Sequence, residues 1–374
     1  MFNYFNPTAI CFGRGQFDSA HRRGELKGAE KVLLVTDGTA MRRFGYSDRL
    51  KENLSHCEVV EYDSVPANPD FECVRQGIDL ARREGITVVV ALGGGSSMDA
   101  GKAIAFLSPQ SASLDDYLAV GAVGASVDRL GFVAIPTTSG TGSEVTPWAS
   151  IWDRDKRKKY SLADERMFPD CAIVDPSLTL SLPPEITAAT GLDALCHAVE
   201  AYWSLNSQPV SDFLAAGAIE LVGNHLVGAY RDGDNIEHRD GMSLASLLAG
   251  LAFSNTKTTA CHSISYPLTA RFDIPHGIAC ALTLGAMLAF NGEALGARGD
   301  RLAGFLGCDD IESAVSSIGE LLEKLNVSPR LRDYGIDKQD IDAILDDGFT
   351  PDRIGHNPRT ITRGEMQSIL EALH

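Results

Sequence analysis

Hydrophobic positions in the first half of the 374-residue chain form short runs separated by amphipathic stretches. "KVLLVTD" (31–37), "EVVEY" (58–62), "TVVVALG" (87–93) and "GFVAIPT" (131–137) are rich in β-branched residues, the pattern of strands buried on both faces. Helical periodicity fills the intervals near 39–55 and 70–84. Repeated strand–helix order predicts a parallel, doubly wound sheet, whose ligands gather at the carboxyl ends of the strands.

From Pro183 onward the helical period takes over, near 183–204, 209–231, 240–253, 256–266, 276–291, 311–325 and 361–373. "SLPPEI" places proline in a first helical turn, where its missing N–H costs little. Prolines 267 and 275 read as breaks between the helices on either side of them. The fold class expected is therefore α/β with a parallel sheet over residues 1–182, followed by an all-helical domain over 183–374.

Charge and composition narrow the partners. A formal net charge of −17 repels nucleic-acid backbones and anionic membranes, so neither is expected as a partner. The eight cysteines lie scattered without a CxxC pair, which fits reduced thiols and a cytoplasmic protein. The amino terminus lacks a basic start followed by an apolar run. No stretch approaches about 20 uninterrupted apolar residues, and none is expected to span a bilayer.

Two loops follow predicted strands and carry phosphate-binding chemistry. "ALGGGSSMDAGKAIAF" (91–106) offers three glycines and then a helix start, where backbone amides and the positive dipole end suit a pyrophosphate. It matches neither GxGxxG nor the P-loop spacing, and a plain strand-to-helix turn is the lesser, competing reading. "IPTTSGTGSEVTPW" (135–148) is rich in hydroxyls and glycine, fit for phosphate, ribose or carboxamide, or for a solvated turn. Together the loops suggest a dinucleotide. Asp37, at the end of the first strand, suits ribose hydroxyls and favours NAD(H) over NADP(H); the other reading is a helix-capping aspartate.

In "TGLDALCHAVEAYWS" (190–204), Asp193 and His197 are four apart on one helical face, their Cβ atoms about 5–6 Å apart. A core histidine satisfied by its acid is one reading. His262 and His276, both in otherwise apolar helical sequence, favour another: three imidazoles and a carboxylate around one borderline divalent ion, Fe2+ or Zn2+.

The order and spacing of "FNPTAICFGRGQF", "PANPD", "GGGSSMDAGKAIA", "IPTTSGTGSEVT", "AIVDPSLTLSLPPEITAATGLDALCHAVEAY" and "HSISYPLTARFDIPHG" resemble the iron-containing (group III) alcohol dehydrogenases over nearly the whole chain. The resemblance implies a dinucleotide-binding domain followed by a metal-binding one, with Asp193, His197, His262 and His276 as metal ligands. It implies cofactor contacts at Asp37, Asn68, Gly94, Gly95, Ser96, Asp99, Thr137, Thr138, Thr141 and Lys159, and a homodimer formed through the amino-terminal segment. Where many members carry a further histidine after the third ligand, "HSISYPL" has Tyr266. The proton relay then falls to Tyr266, to water or to the cofactor ribose.

Within the family, "NTKTTACHSISYPLTARFDIPHG" is most similar to the branch that reduces phosphonoacetaldehyde to 2-hydroxyethylphosphonate. Lys257 is the first candidate to meet the phosphonate, with Thr258, Thr259 and Arg271 behind it; a surface lysine at a helix start is the alternative. The expected reaction is reversible hydride transfer between NAD(P)H and a small aldehyde at a metal facing the nicotinamide across an interdomain cleft. A broad short-chain alcohol dehydrogenase, and a dehydroquinate-synthase-like lyase using NAD transiently, are the competing readings.

Overall fold

In the computed structural model, residues 1–110, 114–120, 129–153 and 158–374 are described. Contacts divide the chain into two units: one of Asn6–Thr138 and Ser143–Ser181, the other of Met1–Phe5, Ser139–Gly142 and Leu182–His374. The short segment 139–142 groups with the helical unit because its backbone lies against helices there. A Cβ on Gly140 would come within 2.6 Å of the Thr190 carbonyl oxygen, too close for any side chain.

The first unit contains strands β1 (Ala9–Phe12), β2 (Lys31–Val35), β3 (Glu58–Tyr62), β4 (Val88–Gly93), β5 (Gly131–Pro136), β6 (Trp148–Asp153), β7 (Lys158–Ala163) and β8 (Cys171–Val174). Six form a parallel sheet in the order β1-β8-β5-β4-β2-β3, while β6 and β7 pair antiparallel as a separate ribbon. The winding reverses between β2 and β4, which makes their carboxyl ends the crevice of this topology.

The unbroken apolar runs of β2 and β4 follow from burial on both faces. Leu33, Val35, Val89 and Ala91 face one core with Val74, Ile78, Met98 and Ile104. Their alternates Val32, Leu34, Val90 and Leu92 face a second core with Phe17, Leu50 and Leu54. Each valine, leucine, isoleucine, phenylalanine or methionine among them contributes about 1.5–3 kcal/mol on leaving water. Helix α1 (Phe71–Glu84) starts at Asp70, whose carboxylate accepts from Cys73 N, and α2 (Gly95–Leu107) starts directly after β4. The helix expected near 39–55 is divided into Thr39–Arg43 and Tyr46–Asn53 by Gly45 at φ 72°.

The second unit contains α3 (Pro184–Trp203), α4 (Pro209–Arg231), α5 (Ile236–Thr256), α6 (Ala260–Phe272), α7 (His276–Leu295), α8 (Ile311–Lys324), α9 (Ile341–Gly348) and α10 (Pro351–Ile354). Pro267 does not break the chain as expected. It lies inside α6, which runs on to Phe272 and stops at Asp273 in the left-handed region. Gly348 packs so close to Pro267 that a Cβ there would come within 2.9 Å of the ring, so α9 shields the place where the helix lacks its hydrogen bond. Helices α4 and α7 are long and apolar enough by length and composition to cross a bilayer, although neither is an uninterrupted apolar run. Here α4 packs on α3 and α5, and α7 on α3, α6 and α8. All eight cysteines are free thiols.

Candidate functional site

The richest chemistry lies on α3. Asp193, His197 and Glu200 recur at four and three residues, so one helical face presents all three, at 3 %, 5 % and 0 % exposure. Helix α6 begins opposite that face and delivers His262 in its first turn; α7 begins with His276. Gly277 permits the approach of α7. A Cβ there would collide with the Ala189 carbonyl oxygen and lie 2.9 Å from the Asp193 backbone nitrogen.

His262 Nε2 is 3.5 Å from Asp193 Oδ1, and His197 Nδ1 is 3.7 Å from the same oxygen. These three atoms are buried and have no hydrogen-bond partner. An unsatisfied buried polar atom costs about 1–3 kcal/mol, so two imidazole nitrogens set around one carboxylate oxygen call for a shared partner, and a cation is the partner that suits a carboxylate and imidazole lone pairs. The residues present therefore fit a divalent metal.

Electrostatics agree. Burial pushes the Asp193 carboxyl up, but the surrounding imidazoles outweigh it and hold the group well below the usual carboxylate range. Burial pushes His197 down to about 4, against the pull of Asp193, so its lone pair is available at neutral pH. Burial also pushes His262 down, yet Cys280, Glu200 and Asp193 prevail and favour its imidazolium.

Two residues were missed by the sequence reading. Cys280, one turn beyond His276, joins Asp193, His262 and His276 in a group whose ligand atoms lie within 4.8 Å of one another. Its Sγ is 3.9 Å from His276 Nε2. His197 stands beside this group, its ring 4.3 Å from that of His262 and stacked at 4.0 Å on Phe253. Glu200 is the other. It accepts from Thr259 Oγ1 at 2.6 Å and Cys261 N at 2.8 Å and pairs with His262 Nδ1, while Trp203 Nε1 donates to Thr259 Oγ1 at 2.8 Å. Its signal was present as a third polar residue on the Asp193 face.

The other expected residues fall as follows. Tyr266 stacks parallel on His276, centroids 5.7 Å apart. Lys257 is exposed at the carboxyl end of α5, Thr258 and Thr259 are buried, and Arg271 is engaged by Asp347 at 2.9 Å.

In the α/β unit, Gly94 caps α2, and Gly94, Gly95 and Ser96 are half-buried at its amino end. Thr137 N bonds Gly93 O at 2.9 Å, and Asn68 N bonds Ser96 Oγ at 3.1 Å, so Asn68, Ser96 and Thr137 gather around the end of β4, with Thr138 packed on Gly94. Asp99 bonds Ser143 Oγ at 2.7 Å and Ser150 N at 2.8 Å, fastening the second loop to α2. Buried Lys102 supports it from Ser143, Thr146 and the Trp148 carbonyl. Asp37 Oδ1 accepts from Ala40 N and Met41 N at 3.0 and 3.4 Å, the capping arrangement. Thr141 lies in the 139–142 segment of the other unit, and Lys159 sits on β7 with its ammonium 6.0 Å from the Trp152 ring.

Comparison with known proteins accounts for both units. Residues 7–176 match the family model described as iron-containing alcohol dehydrogenase, and residues 187–374 that of the Fe-containing alcohol dehydrogenase family, C-terminal. The chain is 36 % identical to an NADPH-dependent butanol dehydrogenase of Clostridium saccharobutylicum, covering 100 % of this chain and 98 % of the relative. It is 33 % identical to a 1,3-propanediol dehydrogenase of Klebsiella pneumoniae, over 99 % and 98 %. The crystal structure of a sulfoacetaldehyde reductase from Bifidobacterium kashiwanohense in complex with NAD+ matches with TM-score 0.94 and 34 % identity, covering 100 % of this chain and 98 % of that one.

Proposed function

Because the chain belongs to the iron-containing alcohol dehydrogenase family, whose members are NAD(P)-dependent oxidoreductases, we propose that it reduces a small aldehyde, phosphonoacetaldehyde first among candidates, to its alcohol. The observation that carries the reading is the approach of His197 Nδ1 and His262 Nε2 to Asp193 Oδ1, all three buried and without hydrogen-bond partners. With His276 they are the proposed ligands of Fe2+ or Zn2+. When bound, the ion supplies Lewis-acid polarisation of the substrate oxygen and the nicotinamide supplies hydride.

The chain's own groups do the rest. Asp193 contributes the negative charge, and Glu200 holds the proton of His262 on Nδ1 so that Nε2 faces inward. Tyr266, stacked on His276, is the proposed proton donor to the reduced oxygen. Asn68, Gly94, Gly95, Ser96, Thr137 and Thr138, gathered at the end of β4, are the proposed core of the dinucleotide site, with Asp37, Asp99, Thr141 and Lys159 around it.

A second reading, a broad short-chain alcohol dehydrogenase, is favoured by the likeness to the butanol dehydrogenase. The two separate on Lys257→Met. KM for phosphonoacetaldehyde is expected to rise at least about tenfold, the worth of one charge-assisted contact, while KM for butanal stays within about twofold. Equal changes for both aldehydes favour the broad enzyme. Stoichiometric loss of NADH absorbance per turnover tests the reaction class itself, since a lyase using NAD transiently consumes none.

We also propose a homodimer formed through the amino-terminal segment. Phe2, Phe5, Ile10 and Phe12 are exposed there, and β1 is an edge strand of the sheet among the described residues. Sedimentation equilibrium is expected to give twice the chain mass, and Ile10→Lys to shift it toward one; a monomeric wild type contradicts this.

A further inference from the structure

Helix α7 carries two donor-bearing side chains on one face, His276 in its first turn and Cys280 four residues on. That is the spacing by which α3 presents Asp193 and His197. The two faces meet: the ligand atoms of Asp193, His262, His276 and Cys280 all lie within 4.8 Å of one another. Among the described residues, Cys280 is the one thiol in such a group.

Cys280 is fully buried, and a buried thiol in an apolar helix is ordinarily core packing. Its surroundings here are polar. Sγ stands 3.9 Å from His276 Nε2, and His262 and Ser265 are hydrogen-bonding neighbours of the same thiol. An ion about 2.3 Å from a sulfur and about 2.0–2.1 Å from an imidazole nitrogen holds the two about 3.5–3.6 Å apart at the tetrahedral angle. The observed 3.9 Å exceeds that by a few tenths of an ångström, which a small side-chain rotation closes. For an oxygen and a nitrogen, each about 2.1 Å from the ion, the same angle gives about 3.4 Å, against 3.5 Å between Asp193 Oδ1 and His262 Nε2. The sulfur therefore stands from its neighbouring imidazole much as the carboxylate stands from its own.

We infer that Cys280 is a further ligand of the ion, binding as thiolate beside Asp193, His197, His262 and His276, and that it turns the preference of the site toward Zn2+ over Fe2+. This rests on the metal-dependent reading and deepens it. On binding, the Sγ–H bond breaks, its proton passes to solvent and the sulfur's electron pair forms the bond to the ion, with no change of oxidation state. Thiolate is a softer donor than carboxylate or imidazole, and soft donors suit Zn2+ better than Fe2+. It also adds a second negative charge to that of Asp193, so that a doubly charged ion is balanced inside a buried pocket, where uncompensated charge is costly.

The test follows Co2+, whose absorption reports its ligands. Protein stripped by a chelator and reloaded with one equivalent of Co2+ is expected to show the intense near-ultraviolet charge-transfer band that a thiolate ligand gives and nitrogen or oxygen donors do not. Cys280→Ser should bind Co2+ and lose the band, whereas Cys196→Ser, which removes a buried thiol of α3 outside the group, should keep it. In anaerobic competition between Zn2+ and Fe2+, Cys280→Ser is expected to lose at least about tenfold of the wild-type preference for Zn2+. Bound Co2+ without the band would overturn the inference and leave the metal reading standing. A band that survives in Cys280→Ser, or an unchanged preference between the two ions, would overturn it equally. A wild type that retains no ion sinks the metal reading and this inference with it. If Cys280→Ser fails to fold, X-ray absorption of the Zn2+-loaded wild type decides: a sulfur scatterer at about 2.3 Å supports the inference, and a shell of nitrogen and oxygen alone overturns it.

Discussion

Replacing His262 by alanine is expected to lower kcat/KM by about 10³- to 10⁴-fold while NAD(H) affinity stays within about twofold. The magnitude is that of losing a Lewis acid, several kcal/mol of transition-state stabilisation, at about 1.4 kcal/mol per tenfold. His262 is 2 % exposed and presents Nε2 to Asp193 Oδ1 at 3.5 Å. Alanine leaves Asp193 with one imidazole fewer and Glu200 facing a void. The dinucleotide affinity is expected to be spared because Asn68, Gly94, Gly95, Ser96, Thr137 and Thr138, the proposed core of the cofactor site, belong to the α/β unit, whereas His262 belongs to the helical one. Metal analysis after dialysis, together with fluorescence titration of NADH, separates the two effects. His276→Ala should behave alike, with a smaller stability cost, since His276 is only half-buried. Full turnover in either variant, or after exhaustive chelation, contradicts the metal reading.

How far the sequence revealed this site depends on whether its signals were local. Asp193 and His197 were legible because a helix puts residues four apart on one face, and His262 and His276 because imidazoles stand out in apolar sequence. Strands β2 to β5 were legible as β-branched runs of five to six residues. Strands β1 and β8 have four residues each, too few for periodicity to register, and β1 is exposed along most of its length. Strand order leaves no mark on the residues, so the reversal between β2 and β4 required the structure. Cys280 was hidden because a thiol in an apolar helix reads as core. Asp37 illustrates the opposite case: the capping geometry weighed against a ribose contact is what its Oδ1 makes.

Glu200 leads to the second large effect. Its carboxylate is fully buried, yet it is held below the ordinary range: burial raises it, and His262, Thr259 and the Cys261 N–H together outweigh that. Glu200→Ala would leave the Thr259 hydroxyl, the Cys261 N–H and the His262 Nδ1–H unpaired around a cavity. At about 1–3 kcal/mol for each orphaned donor, a loss of at least about 3 kcal/mol in folding stability is expected, read by urea denaturation of the metal-loaded protein. Glu200→Gln is the sharper probe. It keeps the volume and one acceptor oxygen, so the fold should survive, but a neutral amide no longer favours the His262 form with its proton on Nδ1. Metal affinity is then expected to fall about 10- to 100-fold, as for other partners of metal-bound histidines. Competition with a chromophoric chelator measures this without reference to turnover. Unchanged affinity in Glu200→Gln would mean that His262 is oriented by packing alone, and that the chain from Trp203 through Thr259 and Glu200 to His262 serves only the helix start.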